Sequence, residues 1–212
     1  TWAELTFDSL SVDERLAQLF MIECRPTYGS KHIAEVERMI AEHKVGGVIF
    51  FKGDPTEEVK LTNRFQEISN TKMLVAIDGE WGLAMRLANT IAYPYQLGLG
   101  SIQNEEVIYE MGKEIGRQCK RMGIHVNFAP VIDINNNTNN PIINSRSVGE
   151  EPDNVCKKGW DYASGMQDTG IIACAKHFPG HGDTDVDSHK DLPVINHSME
   201  RLREVEFQPF QY

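Results

Sequence analysis

Five short, nearly uninterrupted apolar runs recur along the chain, each parted from the next by a stretch of helical character, and no other feature restricts the possible folds so tightly. The runs are Phe20-Met21-Ile22-Glu23, Val48-Ile49-Phe50-Phe51, Met73-Leu74-Val75-Ala76-Ile77, His125-Val126-Asn127-Phe128 and Ile171-Ile172-Ala173-Cys174-Ala175. A strand with one wet face alternates apolar and polar residues. Strands that are apolar throughout have both faces covered, which is the pattern of a parallel sheet packed between helices.

The intervening segments carry matching helix signals. Ser11-Val12-Asp13-Glu14 is a capping box that opens a first helix. Ile33, Val36, Met39 and Ile40 share one face of the next, which ends at Gly46-Gly47. Asp54-Pro55 starts a third, with Asp as N-cap and Pro at the first helical position. Val107, Ile108, Met111 and Ile115 line a helix over 104–122, Glu151-Pro152-Asp153 precedes another, and a last begins near Ser198. No low-complexity linker interrupts the series, so the chain reads as one unit.

An α/β fold of this kind is an open doubly wound sheet or a (β/α)8 barrel. A nucleotide-binding doubly wound sheet carries a Gly-rich turn after its first strand. Here that turn is Cys24-Arg25-Pro26-Thr27. The expectation is therefore a TIM-type barrel, with 1–212 holding its N-terminal portion, about five of eight βα units, and stopping before a sixth strand. Polar residues gather at the C-terminal ends of the strands: Glu23, Lys52, Asp78, Asp133, Lys176 and His177. That edge is where such folds place their active sites.

A net charge of −10 argues against a nucleic-acid partner, since nothing offsets phosphate repulsion. No apolar run approaches the ~20 residues of a membrane span. Cys24, Cys119, Cys156 and Cys174 are widely spaced and form no metal or disulfide motif, so buried free thiols are expected. No metal and no cofactor are called for.

The densest chemistry lies in the stretch over 176–189, KHFPGHGDTDVDSH, which holds three histidines and three aspartates. Pro179, Gly180 and Gly182 exclude a helix, so this is a shaped loop leaving the fifth strand. Asp183, Asp185 and Asp187 mimic the start of a calcium loop, but its sixth position is Ser188 and its twelfth Val194, which rejects that reading. A transition-metal site built from His177, His181, His189 and a carboxylate suits the residue types, though the spacing fits no recognised motif. The third reading is proton transfer. Asp187 and His189 are two apart, so in an extended segment they share a face and the carboxylate can orient the imidazole. A purely structural hydrogen bond between them fits the spacing equally well.

The run KHFPGHGDTDVDSHKDLPVI resembles the signature of glycoside hydrolase family 3, in particular its β-N-acetylglucosaminidase, NagZ-like subgroup, known for muropeptide recycling. IDGEWGLAMRL at the third strand, FAPVIDI at the fourth and NSRSVGEEP after it fall in the order of that family, so the likeness spans essentially the whole chain. The resemblance implies a retaining β-N-acetylhexosaminidase acting on terminal β-linked N-acetylglucosamine, in a glycan or a muropeptide.

It also implies roles. His189 matches the general acid/base, with Asp187 as its partner, an exception to the two-carboxylate pattern of most glycosidases. Asp78, Arg86, Arg146, Lys176 and His177 match residues that bind the sugar; Asp133 is expected to brace the barrel mouth. One departure is the block Gly79-Glu80-Trp81-Gly82, where the family carries Glu-Gly-Gly-Arg; Trp81 is expected to pack rather than to stack on sugar. No residue here matches the family nucleophile, an aspartate late in the barrel, so the 212-residue chain is expected to lack turnover by itself. Its open barrel edges invite self-association. A family 3 phosphorylase and a non-catalytic saccharide-binding chain are the rivals, and the bacterial cytoplasm and periplasm are both compatible compartments.

Overall fold

The computed structural model describes all 212 residues. Five parallel strands lie side by side in chain order: β1 (Met21–Cys24), β2 (Gly47–Phe50), β3 (Leu74–Ile77), β4 (Val126–Asn127) and β5 (Ile172–Ala173). Every neighbouring pair is parallel and consecutive. A doubly wound sheet reverses its strand order at a switch point, and this sheet never does. The sequential order is that of a (β/α)-barrel wall.

The crossovers are α3 (Ser30–His43) after β1, α4 (Pro55–Ile68) after β2, α6 (Glu105–Arg121) after β3 and α7 (Pro152–Asp168) after β4. Asp54 caps α4 by accepting from the Thr56 amide, and Asn104 caps α6 through Glu106. A continuous core joins them. It includes Val36 and Ile40 of α3, Phe65 of α4, Ile108 and Ile115 of α6, Tyr162 and Met166 of α7, and Val48, Val75 and Ile77 of the strands. Phe50 stacks on Phe65 with ring centres 6.2 Å apart, fixing α4 against β2. All four cysteines are free thiols and three are buried; burial pushes Cys24 and Cys119 up to about 12.

Two differences from the expected elements have local causes. The fourth and fifth strands are shorter than their apolar runs because the chain bulges over 127–129, where the Ala129 amide turns back to the Asn127 carbonyl and Cys174 donates to the Ala129 carbonyl. Beyond the bulge the pairing resumes, with Lys176 donating to the Pro130 carbonyl and Ile132 donating to the Lys176 carbonyl. A helix not foreseen, α1 (Trp2–Ser9), precedes α2 (Val12–Ala17). Thr1 and Glu4 form a capping box at its start, and none of its residues is buried, so capping defines it rather than a core-facing stripe. Helix α5 (Gln96–Gly100) sits in the long connection after β3, and α8 (Met199–Glu204) and α9 (Gln208–Gln211) close the chain. No helix is long and apolar enough to cross a membrane.

Candidate active site

Asp78 follows β3 directly, and Arg86 follows a short 3-10 turn eight residues on. The Arg86 Nε donates to the Asp78 carbonyl at 2.9 Å and its Nη2 reaches the Asp78 carboxylate. From the end of β5, Lys176 Nζ donates to Asp78 Oδ1 at 2.6 Å and lies 2.8 Å from Glu80 Oε1. Glu80 in turn takes a two-point pair from Arg146, with Nε at 2.9 Å and Nη2 at 2.7 Å. Arg146 Nη2 also lies 3.1 Å from His177 Nε2, and His177 Nδ1 lies 2.6 Å from Asp133 Oδ2.

All five residues expected to bind sugar, Asp78, Arg86, Arg146, Lys176 and His177, therefore belong to one hydrogen-bonded chain at the C-terminal edge of β3, β4 and β5. Three cations, Arg86, Arg146 and Lys176, face three carboxylates, Asp78, Glu80 and Asp133. A guanidinium can only donate, so His177 Nε2 accepts and its Nδ1 carries the proton given to Asp133.

Glu80 was not foreseen as a site residue. It is 0% exposed. Burial alone pushes its carboxyl up, but the Arg146 and Lys176 cations override that and hold it at about 2. The signal in the sequence was a second carboxylate two residues past Asp78, at a strand end. Asp133 does more than brace: its carboxylate accepts from the His177 amide and ring and from the His181 amide. Trp81 packs on Tyr95, ring centres 4.5 Å apart, while the side chain of Gln96 holds the Glu80 carbonyl from behind.

The loop after β5 continues from Lys176 and His177 of this cluster and is tied to it again where the His181 amide donates to Asp133. Its peptides Lys176–His177 and Phe178–Pro179 are cis. Gly182 lies so close to the strand-four exit that an added Cβ would meet the Ile134 carbonyl at 1.7 Å. Asp187 and His189 do pair, with Oδ1 to Nδ1 at 2.8 Å, but in a turn rather than an extended segment. The same Asp187 oxygen accepts the His189 amide at 2.9 Å, closing a local side-chain turn. That amide and ring hold the Asp187 carboxyl below its usual range. The His189 side chain is 72% exposed and hydrogen-bonds only Asp187, so the dyad is not a link of the Asp78–Asp133 chain.

The three imidazoles of the loop do not converge. His177 is taken up by Asp133 and Arg146, His181 by Thr184 and Ser188, and His189 by Asp187. Asp183, His197 and Glu206 do come together, but Arg201 already engages both Glu206 oxygens. A cavity of about 290 Å³ lies under the loop, bounded by His177, Phe178, His181, Thr184, Pro193 and Ile195. A larger hollow of about 610 Å³ lies against α6 and includes no residue of the cluster.

Taken together, the edge offers fixed donors and acceptors for several hydroxyls and one exposed imidazole–carboxylate pair for proton transfer. β-Hexosaminidase A of Pseudoalteromonas piscicida is 33% identical over 189 residues, covering 83% of this chain and 32% of that protein. The solved structure of a glycoside hydrolase family 3 β-N-acetylglucosaminidase from Paenibacillus sp. str. FPU-7 matches with TM-score 0.85 at 37% identity, over 96% of this chain and 40% of that one. The β-glucoside phosphorylase BglX bound to 2FGlc matches with TM-score 0.92 at 25% identity, over 99% and 37%. The chain thus spans between about a third and two fifths of the length of these relatives. The glycosyl hydrolase family 3 N-terminal domain matches residues 11–212, and the chain belongs to that family.

Proposed function

We propose that this chain supplies the sugar-binding wall and the acid/base pair of a retaining glycoside hydrolase that removes terminal β-linked N-acetylglucosamine. The observation that carries the reading is the unbroken chain from Arg86 through Asp78, Lys176, Glu80, Arg146 and His177 to Asp133, with the Asp187–His189 turn beside it. The names of the relatives, β-hexosaminidase and β-N-acetylglucosaminidase, point the same way.

In this reading Asp78 accepts from sugar hydroxyls, and Arg86, Arg146, Lys176 and His177 orient the ring. His189 protonates the departing glycosidic oxygen and then takes a proton from the attacking water, while Asp187 fixes the imidazole and stabilises the imidazolium. A retaining reaction also needs a nucleophile on the opposite side of the anomeric carbon, about 5 Å from the acid/base. That aspartate is assigned to a position outside these 212 residues, so these residues alone bind sugar without turning it over. The natural partner is a glycan or muropeptide ending in N-acetylglucosamine.

The test is hydrolysis of p-nitrophenyl N-acetyl-β-D-glucosaminide, read by proton NMR for the anomer first released. We expect β product from protein that includes the nucleophile, and no turnover from the 212-residue chain. Ordinary rates from that chain overturn the division of roles. A phosphorylase is the second reading, favoured by the close structural match to a β-glucoside phosphorylase. An imidazole does not repel phosphate as a carboxylate does, so phosphate can serve as acceptor. Formation of N-acetylglucosamine 1-phosphate in phosphate buffer selects that reading over hydrolysis.

A further inference from the structure

We infer that His181 is a positioning residue for the acid/base pair, holding the Asp187–His189 turn to the sugar-binding wall through the hydroxyl of Ser188. The inference rests on the proposed role of His189 and extends it to a residue that no contact with substrate requires.

The geometry is a three-step tether. Asp133, at the exit of β4, accepts from the His177 ring at 2.6 Å and from the His181 amide at 2.7 Å, so one carboxylate fixes both the sugar wall and the base of the loop. The His181 ring then spans to the far limb of the loop, with Nδ1 on Thr184 Oγ1 and Nε2 at 3.0 Å from Ser188 Oγ. Ser188 lies between the two residues of the dyad in sequence. Its position therefore sets theirs.

Proton accounting fixes the direction of each bond. The Thr184 hydroxyl has one proton, which it gives to the His181 carbonyl at 3.0 Å. Thr184 Oγ1 therefore accepts from His181 Nδ1–H, and also from the Asn140 amide at 3.4 Å. A neutral ring with its proton on Nδ1 leaves Nε2 as an acceptor, so the Ser188 hydroxyl donates into it. Burial favours this neutral form and lowers the pKa of His181, whose charged and titratable surroundings are Asp133, His177 and Arg146.

The arrangement is asymmetric in a useful way. His181 is 8% exposed, whereas Ser188 and His189 are exposed and Asp187 is half-buried. A rigid buried ring thus grips a solvent-facing turn that has no other side-chain tie to the wall at Ser188. Loosening that grip leaves the sugar pocket whole and moves only the proton donor. Its cost falls on substrates whose leaving group needs a proton.

The experiment uses turnover-competent protein that carries the nucleophile. Ser188→Ala removes one exposed hydroxyl, Ser188→Thr restores it, and His181→Gln shortens the tether. Each is compared on methyl and on 2,4-dinitrophenyl N-acetyl-β-D-glucosaminide, with N-acetylglucosamine inhibition as the measure of the sugar wall. For Ser188→Ala and His181→Gln we expect kcat/KM on the methyl glycoside to fall about tenfold or more, with dinitrophenyl turnover within about threefold and inhibition unchanged. Ser188→Thr recovers most of the loss. Equal losses on both substrates, or none on either, overturn the inference. His189→Ala separates the two layers. If it discriminates between the leaving groups and the Ser188 and His181 variants do not, only the tether is wrong; if it does not discriminate, the acid/base reading fails and the tether with it.

Discussion

Glu80 and Arg146 meet across 66 positions of sequence as a two-point ion pair, with the carboxylate wholly buried and Lys176 2.8 Å from the same oxygen. Such a carboxylate links stability to acid. Its folded pKa, about 2, lies below the ordinary 4.5, so the unfolded chain binds the proton more readily. The contribution is complete above pH 4.5 and is lost as the pH falls toward 2, on the order of 3 kcal/mol in all. Urea denaturation across that window is the measurement. Glu80→Gln is expected to flatten this dependence and to destabilise the fold at pH 7 by about 3–5 kcal/mol, because Arg146 loses the carboxylate that pairs it, while Lys176 keeps only Asp78.

Glu58 behaves in the opposite sense. It lies wholly buried on α4, both its oxygens lack a partner, and burial pushes it up to about 8. Cys24 of β1 and Cys119 of α6 are the titratable groups that sense it. Between pH 4.5 and 8 the folded chain holds a proton that the unfolded chain has released, so stability declines as pH rises. Relative to wild type, Glu58→Gln should gain roughly 4 kcal/mol between pH 5 and pH 8. A difference that stays constant over that range contradicts the assignment.

Gly182 is the more tightly packed of the two glycines in the loop after β5. A methyl group there meets the backbone carbonyl of Ile134, which cannot rotate away. Gly182→Ala is expected to cost about 1–3 kcal/mol in thermal or urea unfolding. Hydrogen exchange at the His181 amide, donated to Asp133, should quicken in the same variant. Wild-type stability together with wild-type exchange would show that the loop does not sit as described.

The outer strands β1 and β5 each have a neighbour on one side only. Leu19 and Phe20 before β1 and Ile172 of β5 are exposed apolar residues on or beside those edges. Open edges of this kind pair with other chains. Light scattering on the 212-residue chain should show a mass that grows with concentration, and a constant monomer mass across the range contradicts this.

Much of the architecture was legible because buried parallel strands leave continuous apolar runs, and all five runs became strands. Their ends were less legible. The bulge over 127–129 depends on where the Ala129 amide finds its acceptor, not on hydrophobicity. Of the residues proposed to bind sugar, Asp78, Lys176 and His177 surfaced through their place at strand ends, and Arg86 and Arg146 through the family motif alone. Glu80 did not, since a carboxylate in a turn reads as solvated until Arg146 and Lys176 are seen to close on it. The Asp187–His189 pair was legible from its spacing, but its turn was not, because an Asp side chain that captures the second amide along leaves no periodic trace.

His189 is the residue on which the functional reading turns. Replacing it with alanine in nucleophile-containing protein, and measuring kcat/KM on alkyl and on dinitrophenyl N-acetyl-β-D-glucosaminides, addresses it directly. We expect the alkyl glycoside to lose on the order of 10²-fold or more and the dinitrophenyl glycoside, whose leaving group departs without a proton, to lose far less in the glycosylation step. Unchanged rates on both would contradict proton transfer by this imidazole.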